Sequence, residues 1–152
     1  MAERLNPFTA APEGFGALRG VEEYLAGCGL EPKLLALVKT RVSQINGCTY
    51  CLHMHSEEAR RLGEADVRLL VLAGWHDSSL YTPRERAALA WAESLTHVAE
   101  THAPDDVFAA VRRAFNEKEL ADLSIAIAMI NAWNRLCVGG RVVHPAEMKK
   151  AA

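Results

Sequence analysis

Apolar residues recur along this chain at three- and four-residue spacing, and no stretch keeps the every-other-residue alternation of a half-buried strand. The pattern predicts a first helix from Pro12, a good first-turn residue, to the Gly27-Cys28-Gly29 break. A second runs from Pro32 along Leu34, Leu35, Leu37, Val38, Val42 and Ile45, an apolar stripe at helical spacing. A third follows Asn46-Gly47 and stops at Gly63, and a short fourth covers 64–73. After a loop over 74–81, Thr82, Pro83 and Glu85 compose a capping box for a helix reaching Glu100, with Trp91, Leu95 and Val98 on one face. Pro104-Asp105-Asp106 opens another, its acidic residues placed where the helix dipole favours them. Asn116 and Glu119 cap the longest helix, which ends near Val138 before Gly139-Gly140, and an irregular tail follows Arg141, ending in a mobile Lys149 to Ala152. The expectation is an all-α single domain of about six to seven helices.

That longest helix changes the picture of assembly. Leu123, Ile125, Ile127, Met129, Ile130, Trp133 and Leu136 leave it apolar nearly all round, which implies burial on every side. A chain of 152 residues has little interior for such a helix, so burial in a subunit interface is expected. Asn131, Asn134 and Arg135 are the polar exceptions and need partners there or in a cavity.

Composition narrows the function classes. Half the residues are hydrophobic, about a quarter are charged, and the net charge of −2 invites neither nucleic acid nor an anionic membrane. The first residues lack the apolar core of a signal peptide, and the apolar run Ile125 to Ile130 is too short to span a bilayer, so a cytoplasmic protein is expected. Four cysteines in a reducing compartment are not a disulfide framework. Cys28 and Cys137 are expected to be small packing residues.

Cys48 and Cys51 form the motif. In Asn46-Gly47-Cys48-Thr49-Tyr50-Cys51-Leu52-His53-Met54-His55, helical spacing puts Cys48, Cys51 and His55 on one face and turns His53 elsewhere. A thiol near a helix N-terminus is favoured as thiolate, which by itself makes Cys48 the more acidic sulfur. A structural zinc site would need a fourth ligand, with His53 poorly placed. A thioredoxin-type site wants strands, and a purely structural pair leaves the histidine one turn on without a role. The favoured reading is a dithiol redox enzyme in a helical fold. No glycine-rich dinucleotide loop is present, and no metal or other cofactor is expected. His76, His97 and His102 read as solvated, His144 precedes Pro145 with no set role, and Glu93 falls off the apolar stripe of its helix.

The stretch from Val38 to His55, with 85–96 and 131–135, resembles the alkylhydroperoxidase D (AhpD)-like family of the carboxymuconolactone decarboxylase superfamily over roughly residues 15 to 145. The resemblance implies a homo-oligomer, commonly a trimer or hexamer, and peroxide reduction with a lipoyl- or thioredoxin-type dithiol as reductant. It makes Cys51 the peroxidatic thiol and Cys48 the resolving one, with His55 in a proton relay. The four-residue step from Cys51 to His55 agrees with that assignment. The family's relay glutamate falls at position 36, which is Ala36 here; Glu93 is the candidate substitute. The alternatives are a decarboxylase-like enzyme, which needs no Cys-x-x-Cys pair, and a redox-sensing or zinc-binding module without turnover.

Overall fold

The computed structural model describes residues 2–144, and all regular structure in them is helical. In chain order the elements are α1 (Pro7–Ala10), α2 (Pro12–Ala26), α3 (Pro32–Ile45), α4 (Thr49–Arg61), α5 (Asp66–Leu70), a 3₁₀ segment (Leu72–Asp77), α6 (Pro83–Thr96), α7 (Val98–Thr101), α8 (Asp105–Ala114) and α9 (Glu117–Gly140). The seven expected helices correspond to α2, α3, α4, α5, α6, α8 and α9; α1, the 3₁₀ segment and α7 are additional. The helix expected to reach Glu100 breaks at His97, which leaves the helical region, and Val98 is consequently half-exposed instead of continuing the Trp91/Leu95 stripe. Arg141 to His144 are non-helical, as expected; the remainder of the expected tail, from Pro145 on, lies outside the described residues.

Both capping boxes form, and their glutamates do a second task. Glu85 closes the box with Thr82 and also pairs with Arg68, while Glu119 closes the box with Asn116 and pairs with Arg84. Arg84 also bonds Glu31 and lies 3.9 Å over the Phe115 ring, so one guanidinium ties the starts of α3, α6 and α9 together.

The helix surrounded on every side is α3. Residues 34 to 40 are buried without a gap. Leu35, Val38 and Val42 pack in one cluster with Leu123, Ile127 and Ile130 of α9; Ala36 and Leu37 join a second with Ala59, Leu69, Leu72, Trp75 and Leu89. The expectation of all-round burial for α9 is not met within one chain. Its inner face is in the core, whereas Ile125, Leu136 and Val138 stay 39%, 36% and 48% exposed. The reason is position: α9 runs along the flank of the bundle, and α3 takes the middle.

The end of α9 also holds the N-terminal arm. Arg4 and Leu5 donate backbone N–H groups to the Gly140 carbonyl, and a Cβ at Gly140 would stand 2.4 Å from the Leu5 carbonyl oxygen. This close approach needs the hydrogen of a glycine. The arm continues into Phe8, which packs beside Phe15 and Trp133 with ring centroids 4.9 Å and 6.5 Å away. Gly140→Ala is therefore expected to destabilise by about 1–3 kcal/mol, the usual cost of overpacking against backbone. Calorimetry should show a lowered Tm, and limited proteolysis should release the first residues faster than in the parent. An unchanged proteolysis pattern would mean the arm is not held at this contact.

Candidate functional site

The site is built where α3 hands over to α4. Asn46 caps α3, and Gly47 takes a positive φ of 65° that few side chains tolerate. Cys48 then serves as the N-cap of α4, its Sγ accepting the Cys51 N–H at 3.4 Å. A sulfur in this place is an acceptor for orphan donors of the helix, which is a role that suits a thiolate.

Cys48 Sγ and Cys51 Sγ stand 2.7 Å apart, and both residues are buried. A third sulfur belongs with them. Cys137 of α9, also buried, completes a group whose sulfurs all lie within 4.8 Å of one another. Cys137 packs in the core cluster as expected, and its sulfur in addition stands beside the thiol pair. A signal for it exists in the sequence. Asn131, Asn134 and Cys137 follow one another at three-residue steps, a polar stripe on an otherwise apolar helix.

That stripe anchors the thiol turn. Asn46 Nδ2 donates to Asn131 Oδ1 at 3.0 Å and to Asn134 Oδ1 at 2.9 Å. Asn134 Nδ2 donates to Ser43 Oγ, and Asn131 Nδ2 to Thr96 Oγ1 and the Ile127 carbonyl. Arg135 donates to the Asn131 side chain and carbonyl. The polar residues of α9 are therefore satisfied inside the chain, where they fix the turn that carries Cys48.

The electrostatics concentrate negative charge on Cys48. Hydrogen bonds from the Cys137 and Cys51 thiols, the Cys51 backbone N–H and the Asn134 side chain hold its pKa far below the ordinary thiol value, against the opposing effect of burial. For Cys51, the hydrogen bond with Cys137 lowers the pKa, but donation to Cys48, burial and the adjacent Cys48 charge outweigh it and push the thiol up. Cys137, donating to Cys48 and Cys51 and buried, is raised.

His55 is buried on the same face of α4 as Cys51, and His53 is exposed on another, its ring edge-on to His144 at 4.9 Å. The partner of His55 is Glu58, one turn along, with Nδ1 and Oε2 2.9 Å apart. The His55 hydrogen bond holds the Glu58 carboxyl below the usual carboxylate range. Glu93, expected to replace the missing relay carboxylate, is not brought to the thiols. Its carboxylate takes hydrogen bonds from Arg41 Nε at 2.8 Å and Trp75 Nε1 at 2.7 Å, and His76 Nε2 lies at 3.2 Å. Burial would raise its pKa, and these three partners together lower it. Ala36 lies in the second apolar cluster with Ala59 of α4, so no charge enters there.

Two cavities meet the sulfurs. One, of about 390 Å³, is lined by Cys51, His55, Phe8, Phe15, Trp133 and Cys137, with Lys39, Glu22 and Glu58 on its wall. Glu22 fixes that wall by accepting from Lys39 Nζ at 2.6 Å and from Trp133 Nε1 at 2.8 Å. The other, of about 370 Å³, is lined by Cys48, Cys137, Tyr50, Arg141, Val142 and His144. Cys137 and Tyr50 border both; Cys48 and Cys51 each border one. Three thiols could ligate a thiophilic ion, but a structural zinc needs four ligands, and among the described residues no further His, Cys, Asp or Glu joins the group.

Comparisons with known proteins agree with this architecture. The family model described as carboxymuconolactone decarboxylase matches residues 11–94. Uncharacterized protein YdfG of Bacillus subtilis (strain 168) is 35% identical over 138 residues, covering 91% of this chain and 94% of its own. The crystal structure of ATU0492 from Agrobacterium tumefaciens, a protein of unknown function linked by name to antioxidant defence and AhpD, superposes with a TM-score of 0.92 at 41% identity, covering 95% of this chain and 99% of its own. The debrominase Bmp8 shares the fold, with a TM-score of 0.81 at 21% identity over 91% of this chain and 75% of its own. With more than half of its length matched by the family model and nearly all of it aligned with YdfG and ATU0492, this chain belongs to the carboxymuconolactone decarboxylase family as an AhpD-like member.

Proposed function

We propose that the chain is a thiol-dependent peroxidase that reduces alkyl hydroperoxides through Cys48 and Cys51. The observation that carries this reading is the pairing of two buried sulfurs at 2.7 Å with a buried histidine bordering the same cavity as Cys51. The aromatic lining of that cavity suits the organic part of a hydroperoxide, and its size suits a small one. The fold alone would not decide the chemistry, since it also serves a debrominase.

In the proposed cycle the hydroperoxide meets Cys51. The Cys51 proton moves to Cys48 or to Nε2 of His55, which is left as the acceptor when Nδ1–H faces Glu58. The Cys51 thiolate attacks the O–O bond, becoming a sulfenic acid as the alcohol leaves. Cys48 then displaces water from that sulfenic acid and closes the Cys48–Cys51 disulfide, which an external dithiol of lipoyl or thioredoxin type reopens by exchange. Glu58, and not Glu93, orients His55 in this scheme, and this supplies the carboxylate that position 36 lacks. The cytoplasm is the compartment in which such a reductant keeps the pair open. The outward stripe of α9, with Ile125, Ala128 and Leu136, is the surface proposed to close a homo-oligomer, of the trimeric or hexameric order common in the family.

Three outcomes are expected. In stopped-flow mixing with cumene hydroperoxide, the reduced protein should lose two thiols, Cys51→Ser should lose the reaction, and Cys48→Ser should keep the first stoichiometric step. Equal behaviour of the two variants would overturn the assigned roles. Thiolate absorbance near 240 nm should report about one anion per chain at neutral pH, because Cys48 is shifted down while Cys51 and Cys137 are shifted up. The depressed Cys48 pKa adds to the stability of the reduced fold above the ordinary thiol pKa. That contribution is lost progressively as pH falls from the ordinary thiol pKa through the folded value, so stability should decline first and the absorbance only as the folded value is reached. In Cys48→Ser the Cys51 thiol loses the donation to Cys48 and the adjacent charge that push it up, so the remaining signal should titrate with Cys51. Ile125→Glu should convert the assembly to smaller species in light scattering; an unchanged mass would place the interface elsewhere.

A further inference from the structure

Cys137 is unused in the cycle above, although it is the one residue of the trio that borders both cavities. Cys48 and Cys137 together line the cavity with Arg141 and His144; Cys51 and Cys137 together line the aromatic one. Every pair among these sulfurs is within 4.8 Å, so side-chain rotation carries any two toward one another. Cys28, the remaining cysteine, is not in the group.

We propose that Cys137 is a third redox-active thiol, which takes over the disulfide from Cys51 and so moves it from the aromatic cavity to the cavity bordered by Cys48. This deepens the peroxidase reading and rests on it for the source of oxidation. The step is an internal thiol–disulfide exchange. Cys137 Sγ attacks Cys48 Sγ, the Cys48–Cys137 bond forms as the Cys48–Cys51 bond breaks, and Cys51 leaves as a thiolate that takes the Cys137 proton. No electron is gained or lost overall, and no further reactant is needed. The proton has a short path, since the Cys137 and Cys51 sulfurs lie within 4.8 Å of one another. That path also answers the raised pKa of Cys137, because attack and proton delivery to the leaving sulfur proceed together. The outcome is a reduced Cys51, again facing the aromatic cavity, and a disulfide whose two sulfurs both border the other. An external dithiol entering there would work on a different side from the peroxide.

The test uses diamide, which oxidises dithiols without peroxide chemistry. Trypsin should place the thiol pair in one peptide, Val42 to Arg60, and Cys137 in another, Leu136 to Arg141. After diamide and acid quenching, the wild-type chain should yield these two peptides joined by a disulfide, alongside the internal Cys48–Cys51 form. Cys51→Ser should lose two of its three thiols and give the joined peptides as its main product. Cys137→Ser should give none. Absence of the joined peptides in both the wild type and Cys51→Ser, with helical circular dichroism retained, would overturn the proposal. If diamide joins the peptides but cumene hydroperoxide consumes no thiols, the peroxidase reading fails and the third-thiol proposal stands. If hydroperoxide closes Cys48–Cys51 and neither oxidant ever joins the peptides, the reverse holds.

Discussion

One side-chain amide fixes the geometry on which the thiol chemistry depends. Asn46 stands at the joint between α3 and α4 and donates both of its N–H bonds to α9, through Asn131 and Asn134. The acceptors are buried, so each lost bond would leave a polar group without water, at roughly 1–3 kcal/mol apiece. This is what sets the distance from the α4 N-terminus to Cys137. Without the bridge, α3 and α9 would still pack through leucine and isoleucine, and of the polar bonds between them the one from Asn134 to Ser43 would remain to specify the rotation that faces three sulfurs to one another. Apolar packing brings the helices together; the amide chooses the register.

The charge follows from the same joint. A thiolate buried with only apolar neighbours would be costly, and here it is distributed over two S–H donors, a backbone N–H and an asparagine. In the proposed relay the carboxylate would be reorganised along similar lines. In this chain the buried position 36 stays apolar beside Ala59, and His55 takes its carboxylate from its own helix at a three-residue step. Such a local partner forms with α4 and does not require two helices to dock correctly first.

The helices of this fold were legible because caps and periodicity are local: Thr82 with Glu85, Asn116 with Glu119 and the Asn46-Gly47 break all sit where the chain places them. The face shared by Cys48, Cys51 and His55 was legible for the same reason. What escaped depended on pairs distant in sequence. Cys137 stands beside Cys48 from far along the chain, and the polar stripe it shares with Asn131 and Asn134 gives a face of α9 without naming the thiols that face meets. Glu93 was misplaced because helical phase gives a direction and not a neighbour; its direction leads to Arg41, Trp75 and His76. The all-round apolar character of α9 predicts burial on every side, but within the chain only its inner side is covered, and the helix in the middle is α3, whose buried Lys39 is neutralised by Glu22.

The wall of the aromatic cavity has a bearing on how the protein is made. Phe8 comes from the first turn of the chain, Cys51 and His55 from its middle, and Trp133 and Cys137 from its last helix, while Gly140 holds the arm in place. During synthesis the thiol pair leaves the ribosome well before α9 does, with neither Asn134 nor Cys137 to settle its charge and with Phe8 having nothing to rest against. The nascent chain therefore carries two cysteines that are open to chance oxidation until the final helix docks. A site assembled from α1, α4 and α9 acquires its selectivity only once α9 has docked.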